Sequence, residues 1–407
     1  VKDARFEGLH HVALIAFAGF LGLFEGPTEI ACIAALVTTA LTGRLKGLSA
    51  HPVYLGALLW GLAGIPGVIT AETAYSSQGY LRPVHALALL IGARGLRDVS
   101  AKTLTKMGWA FCLAIVFNGA YGLLQATWGA LPLDSLLMSN KNSPQVFVPG
   151  SRETRCASGL FYNRLRLAHV GAIGLSVLSV LSLGALTQRI RRLAAAGLLL
   201  LALAVVLTYA RMVLAAWTGA AVLLVLLLST PRRAGLMLAG GLSVASAVLA
   251  AESGRQRILR AFEDLSIRAE IFSMALRLFV KQPFFGVGHG DYPQNAMPLL
   301  RPGGSRNWTI DAHNLYLHTL AETGIVGAIG FFVAVGGGLW GLLRQVQAQA
   351  SSTHPQAILR RCALLVLITF AGLGLVHYPL HHAAVGLTFW AAVGLGTAVL
   401  PPSGMES

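Results

Sequence analysis

Between Arg192 and Arg232 the chain carries one charged residue, Arg211, in a run otherwise built of Leu, Ala, Val and a few small polar residues. As a single helix, 193–229 would be roughly 55 Å long at 1.5 Å per residue. That is far more than the ~30 Å hydrocarbon core of a bilayer. Basic clusters flank the run, RIRR before it and PRR after it. Short loops rich in Lys and Arg mark the cytoplasmic side of a membrane. The run is therefore predicted to be a hairpin with both ends cytoplasmic and Arg211 at its outer bend, near the membrane surface.

The rest of the chain reads the same way. Its 407 residues are 55% hydrophobic and 12% charged, against about 25% charged in soluble domains, and the mean hydropathy is +0.67. An all-α, polytopic membrane protein of about twelve spans is predicted. The spans are placed at 9–24, 29–43, 52–70, 83–97, 107–128, 166–187, 193–210, 212–229, 233–251, 313–343, 360–377 and 382–400. The basic loops 43–47, 93–106, 188–192, 231–233 and 344–361 put both termini in the cytoplasm. One integral membrane domain, 1–407, is expected, with outer loops at 129–165 and 252–312, the second between spans nine and ten. The net charge of +15 belongs to these loops and does not call for a nucleic-acid partner; membrane lipids are the expected surroundings. Four scattered cysteines, Cys32, Cys112, Cys156 and Cys362, indicate neither a disulfide framework nor a metal knuckle. No cleavable signal peptide is evident.

The two outer loops hold a second charge system that topology does not require. Segments 129–166 and 252–312 carry thirteen Lys and Arg against eight carboxylates. A basic outer surface suits an anionic, lipid-linked substrate, and the planar fork of arginine suits phosphate. Arg152, Arg155, Arg164 and Arg166 crowd the lip of the sixth span, with Asn163 among them. From about 255 to 281 the second loop reads as a basic amphipathic helix carrying Arg257, Arg260, Arg268 and Arg277, expected to lie along the membrane surface. Arg268, between Ile267 and Ala269, leads toward the glycine-rich turn FFGVGHGDY (284–292) that includes His289. As a phosphate loop that turn is weak, because no Lys-Ser/Thr follows and no strand precedes it.

The stretch DAHNLYLHTLAETGIVGAIGFF (311–332) follows. His313 is predicted to open a long apolar helix, with Asp311 two residues before it and Asn314 after it. A histidine there has the ordinary pKa of ~6.5 that suits a general base. His318 falls roughly 140° round the helix from His313, so a two-histidine metal face is not expected. Glu322, deeper in the helix, reads as structurally paired. HYPLHH (377–382) reads as a turn broken by Pro379.

Together, GLFYNRLRLA (159–168), YARMVLAAW (209–217), IRAEIFSMALRLFVKQPFFGVGHGDY (267–292) and HNLYLHTLAETGIVGAIGFF (313–332) resemble the O-antigen ligase and polymerase superfamily of bacterial envelope glycosyltransferases. The resemblance covers about 155–335. It implies transfer of a glycan from undecaprenyl pyrophosphate on the periplasmic side of the inner membrane, onto lipid A-core in a ligase. A polymerase adds the glycan to another repeat, and related enzymes glycosylate protein Ser or Thr. The residues allow a mechanism in agreement with this, in which His313 is the base and Arg211 and Arg268 clamp the diphosphate, with no metal or other cofactor and with inversion at the anomeric carbon. Arg152, Arg155, Asn163, Arg164, Arg166, Arg260, His289, Asp311 and Asn314 are the further substrate-contact candidates. Because the chain stops soon after its last span, the ligase is preferred over the protein-glycosylating relatives. The Arg277–Gly288 spacing fits a polymerase only weakly. A lipid-linked sugar flippase is the rival from another class, disfavoured because charge collects at one face and no internal repeat is found.

Overall fold

The computed structural model describes residues 4–46, 50–70, 81–129, 131, 134, 147, 155–161, 163–184, 187–228, 252–350 and 352–398. Among these the chain is helical; the only extended pairing is an isolated bridge between Phe147 and Arg155. Helices follow from the apolar runs, because a backbone in lipid must satisfy its own hydrogen bonds. The order is α1 (Ala4–Leu21), α2 (Glu25–Leu41), α3 (Pro52–Ala63), α4 (Ile65–Thr70), α5 (Leu81–His85), α6 (Ala101–Trp128), α7 (Arg164–Gly184) and α8 (Gln188–Val206). Then come α9 (Arg211–Leu228), α10 (Glu252–Lys281), α11 (Tyr292–Ala296), α12 (Leu315–Ala348), α13 (Pro355–Leu373) and α14 (Ala383–Leu395).

Among the described residues four helices, α6, α7, α12 and α13, are long and apolar enough to cross a membrane, and α3, α9 and α14 are shorter apolar helices. The chain is thus a helical protein of the membrane-spanning kind. The expected 52–70 span divides at Gly64 into α3 and α4. The expected 83–97 span is a short helix followed by a 3-10 turn (Ala86–Ala88) and a π turn (Ile91–Gly95). The expected 233–251 span lies outside the described residues.

Packing centres on α7, α13 and α14, whose residues fill the largest buried apolar cluster. A close crossing joins α3 to α12. A Cβ at Gly56 would stand 2.6 Å from the Gly330 carbonyl oxygen, and one at Gly330 would stand 2.6 Å from the Gly56 oxygen. Two glycines therefore let backbone meet backbone, the device membrane helices use where lipid supplies no hydrophobic drive. This crossing fixes α12, and α12 carries the site.

Candidate active site

Helix α12 is broken at Gly324 (φ 61°, ψ −165°). Residues 283–288 fill the break. Val287 and Gly288 donate to the carbonyls of Ala321 and Glu322 (both 2.9 Å), while Ile325 and Val326 donate to Pro283 and Phe284 (2.8 and 3.2 Å). Backbone groups freed by the kink are thus paired by the glycine-rich turn, as irregular backbone in such a protein requires. Gly286, Gly288 and Gly290 all have positive φ. A Cβ at Gly286 would sit 2.3 Å from the Glu322 carbonyl carbon, and one at Gly324 2.3 Å from that of Phe284. The FFGVGHGDY turn is therefore a splice for a broken helix.

Beneath the splice, Glu322 is paired with Arg82. Arg82 Nη1 lies 2.9 and 3.0 Å from its two carboxylate oxygens. His318 Nε2 lies 3.0 Å from Oε1, and the Gly290 N–H donates to the same oxygen at 2.9 Å. Tyr378 stacks on His318 with ring centroids 3.7 Å apart, and the Arg82 guanidinium sits over the Tyr378 ring at 5.2 Å. The Ala312 N–H donates to His318 Nδ1 at 3.3 Å. This buried hub ties the first turns of α12 to α5, to the glycine splice and to the 374–382 turn. Burial, together with the charge of Glu322, raises the Asp291 carboxyl to about 6.

Above the hub stands His313. Asn314, not His313, caps α12: its Oδ1 accepts from Tyr316 and Leu317 N–H (both 2.9 Å) and its Nδ2 donates to the Leu375 carbonyl (2.9 Å). His313 precedes the helix in the left-handed region, φ 47°. Asp311 holds it there. Its Oδ1 accepts the His313 backbone N–H at 2.6 Å and lies 3.2 Å from Nδ1 of the ring. Burial would raise the Asp311 carboxyl, but His313, His381 and His318 together hold it below the usual range. With Nδ1 facing a carboxylate, the imidazole presents Nε2 as its basic nitrogen. The ring is one-third exposed. Arg268, half-buried on α10, donates to the Val376 carbonyl at 2.9 Å. His377, one residue on, is lowered to about 4 by burial and then by Arg268 and His313. Arg268, His377, His313 and Asp311 therefore share one neighbourhood.

Residues 196–332, about a third of the chain, match the sequence model of the O-antigen ligase family. Over that segment the chain is similar to the O-antigen ligase family. No curated protein matches it. The matched segment holds Arg211, Arg268, the glycine splice and His313; Arg82 and the 374–382 turn lie outside it.

The hairpin at 193–229 is the second point of interest. Helices α8 and α9 meet at a turn in which Tyr209 has φ 59°; Tyr209 and His313 are the non-glycine residues of positive φ among those described. Such strained positions cluster at functional sites. Arg164 Nη1 donates to the Thr208 carbonyl at 2.7 Å and fixes the turn. Arg211 is exposed at the first position of α9, where the helix N-terminus adds its own pull on anions. Ala216, one turn further on, lies beside Gly372, 3.8 Å from a Cβ placed there. The start of α9 and Arg268 thus border the same end of α13. Among the described residues no hydrogen bond or ion pair joins Arg211 to His313 or Arg268.

The remaining candidates divide. His289 is buried, hydrogen-bonded to the Trp60 carbonyl at 3.2 Å, so it packs the splice and does not face an open site; burial lowers it to about 4. Asn163 accepts the Leu165 N–H at 2.7 Å at the start of α7. Arg166 pairs with Glu25, and Arg155 donates to the Thr127 carbonyl. Arg260 lies on α10, its side chain outside the described residues, as is Arg152 altogether. Sequence reasoning counted Arg82 only as an outer charge and read HYPLHH only as a turn, whereas both wall the site. The signal for Arg82 was Glu322 itself, a carboxylate in an apolar helix that requires a cation.

Proposed function

We propose that the protein is an O-antigen ligase, transferring a glycan from undecaprenyl pyrophosphate to a sugar hydroxyl of lipid A-core at the periplasmic face of the inner membrane. His313 carries the reading: an imidazole held in a left-handed conformation, one nitrogen against Asp311, at the mouth of a buried polar hub. In the reaction, Nε2 of His313 takes the proton of the acceptor hydroxyl as its oxygen attacks the anomeric carbon. The bond from that carbon to the diphosphate oxygen breaks, and charge moves onto the leaving group. Arg211 and Arg268 stabilise that charge. A single displacement inverts the anomeric centre. Guanidinium groups supply the positive charge, so the reaction is metal-independent.

The test is reconstitution of purified protein with lipid-linked donor and lipid A-core acceptor, with and without EDTA. The expected outcome is core-linked product of inverted configuration at the same rate in both. Product only with added divalent metal would rule out the arginine mechanism, and glycan lengthened on the donor lipid would make the protein a polymerase.

A further inference from the structure

The 377–382 turn and the residues facing it hold polar groups with nothing to bind. His169 and His382 are 2% and 4% exposed, and neither ring nitrogen of either one has a hydrogen-bond partner. Glu25 Oε1 is likewise unpartnered and lies 3.7 Å from His382 Nδ1, while its other oxygen accepts from Arg166. The His169 ring lies 5.3 Å from His377 and 5.2 Å from His382, and His381 lies 3.8 Å from His382, between centroids. His381 Nδ1 is bonded to the Tyr378 carbonyl. A carbonyl only accepts, so Nδ1 carries the hydrogen and Nε2 keeps a free lone pair. His381 is exposed, and Asp311, Arg82 and Arg166 all act on it electrostatically. Asp311 is also the partner of His313, so His381 and His313 share a neighbour.

Buried polar groups left unpaired destabilise a fold unless a partner fills them. A neutral imidazole offers one donor and one acceptor, the same pair that a hydroxyl offers. An anion fits poorly, because Glu25 already occupies Arg166. A cation fits poorly beside Arg82 and Arg166. A sugar unit, with several hydroxyls that each donate and accept, matches the set. We propose that His381, His382, His169 and Glu25 form a subsite that binds the hydroxyl groups of a sugar beside His313. The proposal rests on the glycosyltransferase reading and names where one of its glycans sits. The same chemistry serves the acceptor sugar or the first sugar of the donor.

Saturation-transfer NMR on the full chain in detergent tests it with two probes: lipid-free core oligosaccharide, and N-acetylglucosamine carried on a short prenyl diphosphate. His381→Phe and His382→Phe should each weaken binding of one probe at least tenfold. His381→Gln, whose amide oxygen replaces the Nε2 lone pair, should stay within threefold of wild type. Loss in the oligosaccharide arm assigns the acceptor sugar, and loss in the prenyl arm assigns the donor sugar. If the Phe variants do not fold, His381→Asn keeps a donor for the Tyr378 carbonyl, has an amide oxygen that stops short of the Nε2 position, and carries the same test. Unchanged binding of both probes, or no binding by wild type, overturns the subsite. A wild-type protein that binds sugar but never transfers it keeps the subsite and defeats the transferase reading. Transfer with unaltered KM in the folded variants defeats the subsite alone.

Discussion

At the scale of single residues, the chemistry rests on how two side chains are held. His313 is oriented by Asp311, which faces its Nδ1 and fixes the backbone by accepting its N–H. Replacing Asp311 with Asn should lower kcat, with KM changed little, because the amide no longer favours the tautomer that leaves Nε2 free. Steady-state kinetics of the two proteins checks this. Arg211 stands exposed on a strained turn, and Lys there keeps the charge but not the bidentate fork. Arg211→Lys should therefore cost about tenfold or more in kcat/KM; a wild-type rate would make Arg211 a topological anchor. Sequence alone exposed these two residues because Arg211 is a lone charge within an apolar run and His313 stands where a polar segment meets one. It placed His313 at the opening of α12, whereas the residue after it, Asn314, is the N-cap, its oxygen accepting from two backbone N–H groups.

At the scale of elements, the site depends on a helix that is broken on purpose and repaired by a distant loop. Gly324→Ala would force a Cβ into the Phe284 carbonyl, 2.3 Å away, at a backbone angle that alanine resists. A fall of several degrees or more in thermal midpoint is expected, with loss of transfer. An Ala variant at Gly8, where a Cβ meets nothing, is the control. Arg82→Ala leaves Glu322 buried without its cation and should cost about 3–5 kcal/mol, read as a drop in the detergent unfolding midpoint. The splice was hidden from sequence analysis because a glycine run looks the same whether it cradles phosphate or fills a helix break. Only the contact between 283–288 and α12, made across the turn of the chain, distinguishes the two.

At the scale of the whole molecule, the order of helices was legible because apolar length is a local property. The predicted hairpin at 193–229 appears as α8 and α9 meeting just before Arg211. What remained illegible was convergence: which loops meet depends on packing between α3, α7, α12 and α13, and no spacing in the sequence encodes it. The gathered histidines also set a pH dependence. His377 is lowered to about 4 in the fold, so between that value and the ordinary ~6.5 the unfolded chain binds the extra proton. Stability should thus rise with pH across that window and be lost as pH falls from 6.5 toward 4. Asp311, held below its ordinary range, adds a loss at still lower pH. Thermal midpoints from pH 4 to 7 should fall toward the acid side, less steeply in His377→Asn.

The most direct measurement is the single-turnover transfer rate of purified protein loaded with lipid-linked donor, comparing wild type with His313→Ala. Removing a general base costs on the order of 10² to 10⁴ in rate, so His313→Ala should retain at most about one hundredth of the wild-type rate while still binding donor. A variant that transfers glycan at the wild-type rate would contradict the assignment of His313 and, with it, the mechanism.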